Sequence, residues 1–460
     1  MAENKLQQQE SAQPQEATAV KPQLSSKPVG ELLKKHGGFK TLAAFMPDAA
    51  DLDPDSLATK MMFLTEKQFK SKRERLANDI KTWLEILNED KSSASEYVDL
   101  CGQKRDKYQS LLKSNLQLTA MKMKKLETAY RSLDAFFKNT GMEKIPNLRL
   151  MNVEKYNENG ETDELANSDA ESFKDIKSML YNAYGRLSLK DNYSLVALPG
   201  NIFKDKQVRD MWARLAYEYK VLVVTDSADC RDYDILHEET EQYKDSDREL
   251  QNLVVTANWM VGRPSESIAG ETTPLYLPPA SALVGKLYNN NTPMSQGAAG
   301  EKYGTLNEIK GVHIDMMKEE ITGLWDNQVV PIVFSEGRVM AYNNTNLYTG
   351  SNTALKEYPI VRVFDWVKKN LMHYVHKIAL ENWDPYNSPD QLKKTIQDFL
   401  NDYKGHGKLF KDYTIGEPFQ DPKTKEVKID IDIVPYFAAK NFTIKLSADR
   451  NSKKCDTQDK

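Results

Sequence analysis

Tyr193–Val224, YSLVALPGNIFKDKQVRDMWARLAYEYKVLVV, decides the fold class. Tyr193–Leu198 is an apolar run of strand length, the pattern of a strand covered on both faces. Pro199–Gly200 turn the chain. Val208, Met211, Trp212 and Leu215 then recur at three- and four-residue steps, which stacks them on one side of a helix. Val221–Val224 is the next buried strand. Upstream, Phe173, Ile176, Leu180 and Tyr184 mark another helix, and Leu148–Val153 reads as a strand before it. Strand, helix, strand, helix, strand at this spacing is a βαβαβ unit with right-handed crossovers and a parallel sheet. The predicted class is α/β: a mainly parallel βαβ core, preceded by a helical region and followed by helices and strands.

Leu126–Gly141, LETAYRSLDAFFKNTG, leads into this core. Leu126, Ala129, Tyr130, Leu133, Phe136 and Phe137 fall on one helical side, which is expected to be buried. Glu127 to Arg131 and Asp134 to Lys138 place acid before base at a four-residue step, each worth ~0.2–0.5 kcal/mol on an exposed helix. Gly141 supplies a left-handed stop. Further upstream, Met61–Glu89 reads as a long helix. Its basic residues Lys67, Lys70, Lys72, Arg73 and Arg75 are interrupted by Glu66, Glu74 and Asp79, the pattern of a solvated side rather than a phosphate-binding patch.

Beyond the core, Leu253–Val261 reads as another strand, residues 262–305 as loop-rich, and VVPIVF within Asn327–Tyr342 as strand-like. Ile360, Val363, Phe364, Val367, Leu371, Tyr374, Val375 and Ile378 share one face of a long helix, and a second helix, Pro389–Tyr403, follows. Val427, Ile429, Ile431 and Ile433, then Phe442, Ile444 and Leu446, alternate with polar residues, so each set belongs to a strand with one buried and one wet face. Two such strands are marginal alone and require further strands or a packed layer. The expected domains are 1–28 (disordered), 29–145 (helical), 146–355 (α/β core with long loops), 356–448 (helices and strands) and 449–460 (polar tail).

Composition excludes several classes. With 40% hydrophobic and 28% charged residues over 460 positions, the chain can bury a substantial core, and a net charge of -4 gives no field toward nucleic acid or anionic membrane. No apolar run approaches bilayer length and the N-terminus has no signal core, so no membrane insertion and a cytoplasmic location are expected. Cys101, Cys230 and Cys455 are scattered, unlike a disulfide framework or structural zinc site.

The candidate chemistry is sparse. Asp226, Asp229, Asp232 and Asp234 follow a strand where open α/β sheets place ligands, and carboxylates there could hold Mg²⁺ in a soluble enzyme. A solvated acidic loop is the commoner explanation, and no phosphate cradle accompanies it. Gly297, Gly300 and Gly304 follow an Asn-rich loop rather than a strand, against a dinucleotide motif. His373 and His376 lack an evident third ligand. Cys230 sits among acids that would raise its pKa. The expectation is no catalytic residue, no metal and no cofactor.

LETAYRSL, followed by an apolar run and the strand-like LRLMNV, resembles the large sheath subunit of type VI secretion systems, the TssC (VipB-like) family. His373–Tyr374 on the penultimate helix, then helix, strand, Pro435–Tyr436 and strand, extends the resemblance over about residues 90–448. Departures include Tyr130 for the usual Trp and Ser132 for Gly. The resemblance implies a structural protein. It would co-assemble with the small sheath subunit TssB around an Hcp tube, dock on a baseplate, and contract to propel that tube. It also implies that Leu126, Glu127, Tyr130, Arg131 and Leu133 form the family's core helix. Ile429, Ile431, Ile433, Phe442, Ile444 and Leu446 would complete an inter-subunit sheet. Lys393, Lys394, Asp398 and Asp402 would face the tube. Leu32 and Leu33, in the short helix 28–37, would dock a ClpV-like unfoldase or pack on their own domain. A single-component phage-like tail sheath is the related alternative.

Overall fold

The computed structural model describes residues 78, 81–83, 85–86, 88–141, 145, 147–153, 163–186, 192–203, 205–268, 271–289, 293–378 and 382–439. The chain divides into two units, residues 1–118 and 119–460. In the first, helical residues 81–83 and 85–86 run antiparallel to the start of helix α1 (Ala94–Thr140). The pair is joined by Lys104 to Glu85 at 3.1 Å and by the Thr82 and Tyr108 hydroxyls at 3.2 Å.

The second unit takes its order from the predicted alternation: α2 (Asp163–Ala166), α3 (Glu171–Tyr184), β1 (Leu195–Leu198), α4 (Lys206–Tyr219), β2 (Leu222–Asp226), α5 (Tyr233–Glu241) and β3 (Leu253–Ala257). Asp205 and Asp232 start α4 and α5 by accepting the backbone N–H of Val208 and Ile235, two residues suited to caps by their short acceptor side chains. There follow β4 (Met260–Arg263), β5 (Leu275–Leu277), α6 (Ala280–Tyr288), α7 (Gly300–Gly304), α8 (Lys318–Asp326), β6 (Val330–Ser335) and β7 (Arg338–Ala341). The main sheet has the order β1-β2-β3-β6-β7, parallel except for the β6–β7 hairpin. The fold is α/β, as the apolar runs require.

Alternate residues of the central strands enter opposite cores. Val223, Leu253, Val255 and Ala257 face a cluster with Trp212, Leu215 and Phe173, whereas Leu222, Val224 and Val254 face one with Phe136, Leu283 and Ile332. A sheet covered on both sides explains why its strands are continuously apolar. Helix α6 lies in the second core and approaches α1 so closely that a Cβ on Gly285 would stand 2.4 Å from the Phe136 carbonyl oxygen.

The C-terminal part is a helical pair, α9 (Tyr358–Ile378) and α10 (Ser388–Tyr403), overlaid by β8 (Asp412–Ile415), β9 (Phe419–Gln420), β10 (Val427–Lys428) and β11 (Ile431–Val434). Val363, Val367, Leu392, Ile396, Leu400 and Phe410 form its core.

Several expectations are corrected. Leu148–Val153 is not a strand. Its alternation specifies a face but not a hydrogen-bonding neighbour, and no described residue pairs with it. Helix α1 buries Ser132, Ala135, Phe136, Asn139 and Thr140, while Leu126 and Tyr130 are each 68% exposed and Ala129 is also exposed. The buried arc is rotated toward small residues because α6 demands close approach. Leu253–Val261 is broken at Asn258, which takes a left-handed backbone (φ 76°). The Asn258 side chain donates to the Ile314 and Ile332 carbonyls and accepts from the Ile314 N–H, so the break is fully hydrogen-bonded. The supposedly loop-rich 262–305 contains β5 and the buried α6.

Candidate assembly surface

Strands β8 to β11 form one interrupted hairpin over the α9–α10 layer. Ile431 pairs with Ile415 and Ile433 with Tyr413, whereas Val427 pairs with Gln420 and Lys428 with Phe419. The register therefore gains one residue on the first strand, near Gly416–Glu417. On that strand Tyr413 and Ile415 turn inward and then, after three residues rather than two, Pro418. This is a β-bulge, a device that bends a strand and ends regular pairing. On the returning strand Val427, Ile429, Ile431 and Ile433 stay in phase, each half-buried against the α9–α10 core, with exposed residues between. The predicted alternation is thus present, but the partner strand is β8. Phe442, Ile444 and Leu446 lie outside the described residues.

The hairpin is two strands wide, so the outer edge of β11 carries no strand among the described residues. Val434 and Phe437 are exposed at its C-terminal end, and the Tyr436 hydroxyl donates to the Gly405 carbonyl at 2.7 Å, pinning the chain as it leaves β11. On α10, Leu392, Ile396 and Leu400 face inward, leaving Lys394, Asp398 and Asp402 exposed on the outer side. Lys393 is less free than its sequence position suggests, because it is ion-paired with Glu417 at the bulge.

The family-type residues of α1 separate. Glu127 bonds Arg131 at 2.9 Å, the pair anticipated from spacing, and also Arg263 at 2.8 Å. Arg263, largely buried, is clasped on its other side by Glu271. Burial works to raise the Glu127 pKa, but the hydrogen bonds from Arg131 and Arg263 outweigh it and hold the carboxyl below its ordinary value. The Arg263–Glu271 half of this network was missed, since charges eight residues apart across a turn leave no periodic signal. Leu133 packs on the second core; Leu126 and Tyr130 face outward. Leu32 and Leu33 lie outside the described residues.

The acidic loop after β2 divides into separate tasks. Asp226 is buried and accepts from the Gly200 and Ala280 backbone N–H groups at 2.8 and 2.7 Å and from the Thr256 hydroxyl, tying β1, β2, β3 and the start of α6 together. Burial pushes its pKa up to about 7 against these donors. Asp229 meets His313 Nδ1 at 2.7 Å, Asp232 caps α5, and Asp234 is exposed. Among the described residues no group of three His, Cys, Asp or Glu side chains could hold a metal ion. Burial, then Glu239, Asp229 and Asp232, push the Cys230 thiol up to about 11, the direction expected. Gly297 and Gly300 have left-handed backbones, and a Cβ on Gly304 would stand 2.4 Å from the Ala341 carbonyl oxygen, so these glycines serve tight packing and turns. His373 and His376 share α9.

The chain thus combines an α/β core covered on both faces of its sheet with a C-terminal hairpin whose outer edge carries no strand among the described residues. Three successive family patterns match: the N-terminal region of TssC/VipB-like proteins over residues 27–116, the central domain of type VI secretion system TssC/VipB over 118–349, and the TssC/VipB-like C-terminal domain over 357–459. The chain belongs to the TssC/VipB family of type VI secretion sheath subunits. Comparison with curated proteins gave no match. Among solved structures it is similar to a chain of the anti-feeding prophage baseplate, with 16% identity over 70% of this chain and 81% of that one and a TM-score of 0.48. The helical sheath of the same prophage in its contracted state gives 15% identity, 70% and 82% coverage and a TM-score of 0.48. The contracted PVC sheath complex of an extracellular contractile injection system gives 14%, 60% and 80%, and 0.43. No helix of the described residues is long and apolar enough to cross a membrane.

Proposed function

We propose that this chain is the large subunit of a two-component contractile sheath. It co-assembles with a smaller TssB-like subunit around an Hcp-like tube, docks on a baseplate in the cytoplasm, and contracts to drive the tube outward. It does so without catalysis or cofactor. The observation that carries the reading, beside family membership, is the unfinished β-structure. The β11 edge has no strand beside it among the described residues, and Leu148–Val153, strand-like in sequence, lies outside any sheet with Leu150 and Met151 exposed. Backbone groups at such edges are satisfied by strands from neighbours, which ties subunits together while leaving the α/β cores free to rotate as rigid bodies. In this picture residues 146–355 are the rigid core and 356–448 the assembly region. Ile429, Ile431, Ile433, Phe442, Ile444 and Leu446 belong to the shared sheet. Lys394, Asp398 and Asp402, with Lys393 held by Glu417, face the tube, and Leu32 and Leu33 engage a ClpV-like unfoldase. The energy of contraction resides in a metastable extended lattice released by repacking.

Negative-stain electron microscopy of the chain expressed alone and with its small partner tests this. Tubes only on co-expression are expected. Tubes from this chain alone would replace the reading with a single-component sheath, and dispersed particles in both samples would overturn it.

A further inference from the structure

One end of the parallel sheet gathers more positive charge than the fold uses. Tyr193, Lys220, Arg248 and Asn252 lie just before β1, β2 and β3, at the strands' N-terminal end, and α9 brings Asp365, Lys368 and Lys369 there. Lys369 Nζ donates to the Tyr193 carbonyl at 2.7 Å, and Asn252 donates to Asp365 at 2.6 Å. Lys220 differs. It ends α4 with a left-handed backbone (φ 53°, ψ 47°), a position that favours glycine, and it is only 8% exposed. Its ammonium lies 3.6 Å from the Tyr217 ring centroid, and among the described residues no hydrogen-bond acceptor or ion-pair partner reaches it. Arg248 and Lys368 stand exposed at the rim. Asp365 is the one carboxylate acting on this group, and it holds its own proton more tightly than usual through burial. Burial lowers the pKa of Lys220 and brings that of Lys369 to about 8; Lys368 and Arg248 depress Lys220 further. A mostly buried ammonium held only by an aromatic ring and one nearby carboxylate is poorly compensated, and an incoming carboxylate would stabilise it.

The complement lies on the chain itself. Asp234, Glu238 and Glu241 follow one another along the exposed side of α5, with exposed Ile235 among them, and none forms an ion pair among the described residues. Helix α5 begins beyond the C-terminal end of β2, at the other end of the sheet.

We propose that the cationic socket at the N-terminal end of the sheet receives the acidic side of α5 from a second copy of this chain. Because socket and complement lie at opposite ends of the sheet, the contact is head-to-tail and does not close on a two-fold axis, which suits a helical array. The proposal rests on the sheath reading and adds the charged contact within it.

The test uses the full chain with its small partner and two surface reversals, Arg248→Glu with Lys368→Glu, and Asp234→Lys with Glu238→Lys. Each reversal is expected to lower the number of tubes per field on the order of tenfold at low salt, with an unchanged melting temperature. The chain carrying all four changes is expected to recover tubes. Unchanged tube yield in both reversals, or no recovery in the fourfold chain, overturns the contact. So does a rise in melting temperature with inorganic phosphate that Arg248→Glu with Lys368→Glu abolishes while leaving tube yield intact, since that describes a free-anion site. Absence of tubes from the unaltered chain would instead be a failure of the sheath reading.

Discussion

Strands β3 and β11 are similar in length and both rich in branched apolar residues, yet they stand in opposite situations. Every residue of β3 is buried, hydrogen-bonded between β2 and β6, with Val254 in one core and Val255 in the other. In β11 Ile431 and Ile433 are only half-buried, Asp432 and Val434 are exposed, and one strand alone lies beside it among the described residues. The first is finished by its own chain. Under the sheath reading proposed above a neighbour would finish the second, so that stability would reside in the central sheet and assembly at the C-terminal edge.

The sharpest way to break this contrast is to hollow out the core. Trp212→Ala removes a fully buried side chain and its hydrogen bond to the Leu165 carbonyl, and should cost ~3–5 kcal/mol in denaturant unfolding of the unassembled chain. A loss under ~1 kcal/mol would mean that the central sheet is not where stability resides. Next comes Arg263→Met, which strands Glu271 and leaves Glu127 with Arg131 alone, and should cost about 3 kcal/mol. Because the folded Glu127 pKa lies below its ordinary 4.5, its contribution is present above that pH and fades as pH falls through the lower folded value. The variant should therefore lose part of the acid-induced fall in melting temperature.

Asp226→Asn is expected to cost ~1–3 kcal/mol, since an amide N–H₂ would meet backbone donors from Gly200 or Ala280. The wild-type carboxyl keeps its proton up to about 7 when folded but releases it near 3.8 when unfolded. Folding thus takes up a proton between these values, and this contribution to stability falls as pH rises across the window. A melting-temperature profile of Asp226→Asn should lack that fall. At the C-terminal edge, Ile433→Asp should cost under ~1 kcal/mol in the unassembled chain, because the site is half-exposed, yet suppress tubes on co-expression. Smallest in stability is Lys393→Glu with Lys394→Glu, which disrupts a surface ion pair worth ~0–1 kcal/mol. Co-sedimentation should show sheath losing its hold on an Hcp-like tube; unaltered co-sedimentation would remove the tube-facing assignment.

Elements whose periodicity answers to their own chain's core were legible. Trp212, Val223 and Val363 could be placed from spacing alone because each is buried by neighbours that the pattern also announces. Leu148–Val153 misled for the complementary reason: alternation records that a face is to be covered, and cannot say by which chain. Leu126 and Tyr130 misled likewise. The buried arc of α1 is set by Gly285 and the close approach of α6, a contact 150 residues away that leaves no mark in the helix's own sequence. Arg263 was invisible because its partners, Glu127 on α1 and Glu271 eight residues on, belong to no repeat that includes it. The β8 strand was missed because Asp412–Ile415 is short and ends at a bulge. At the assembly surface, the in-phase isoleucines were legible; which strand they pair with was not.

Hydrogen exchange measured by mass spectrometry, on the unassembled chain and on sheaths formed with the small partner, tests the central claim most directly. The account predicts that β2 and β3 amides are protected in both samples, whereas residues 148–153 and 431–434 exchange rapidly in the unassembled chain and become protected only in the sheath. Equal protection of 148–153 and 431–434 in both samples would contradict it, because those segments would then be completed within the chain.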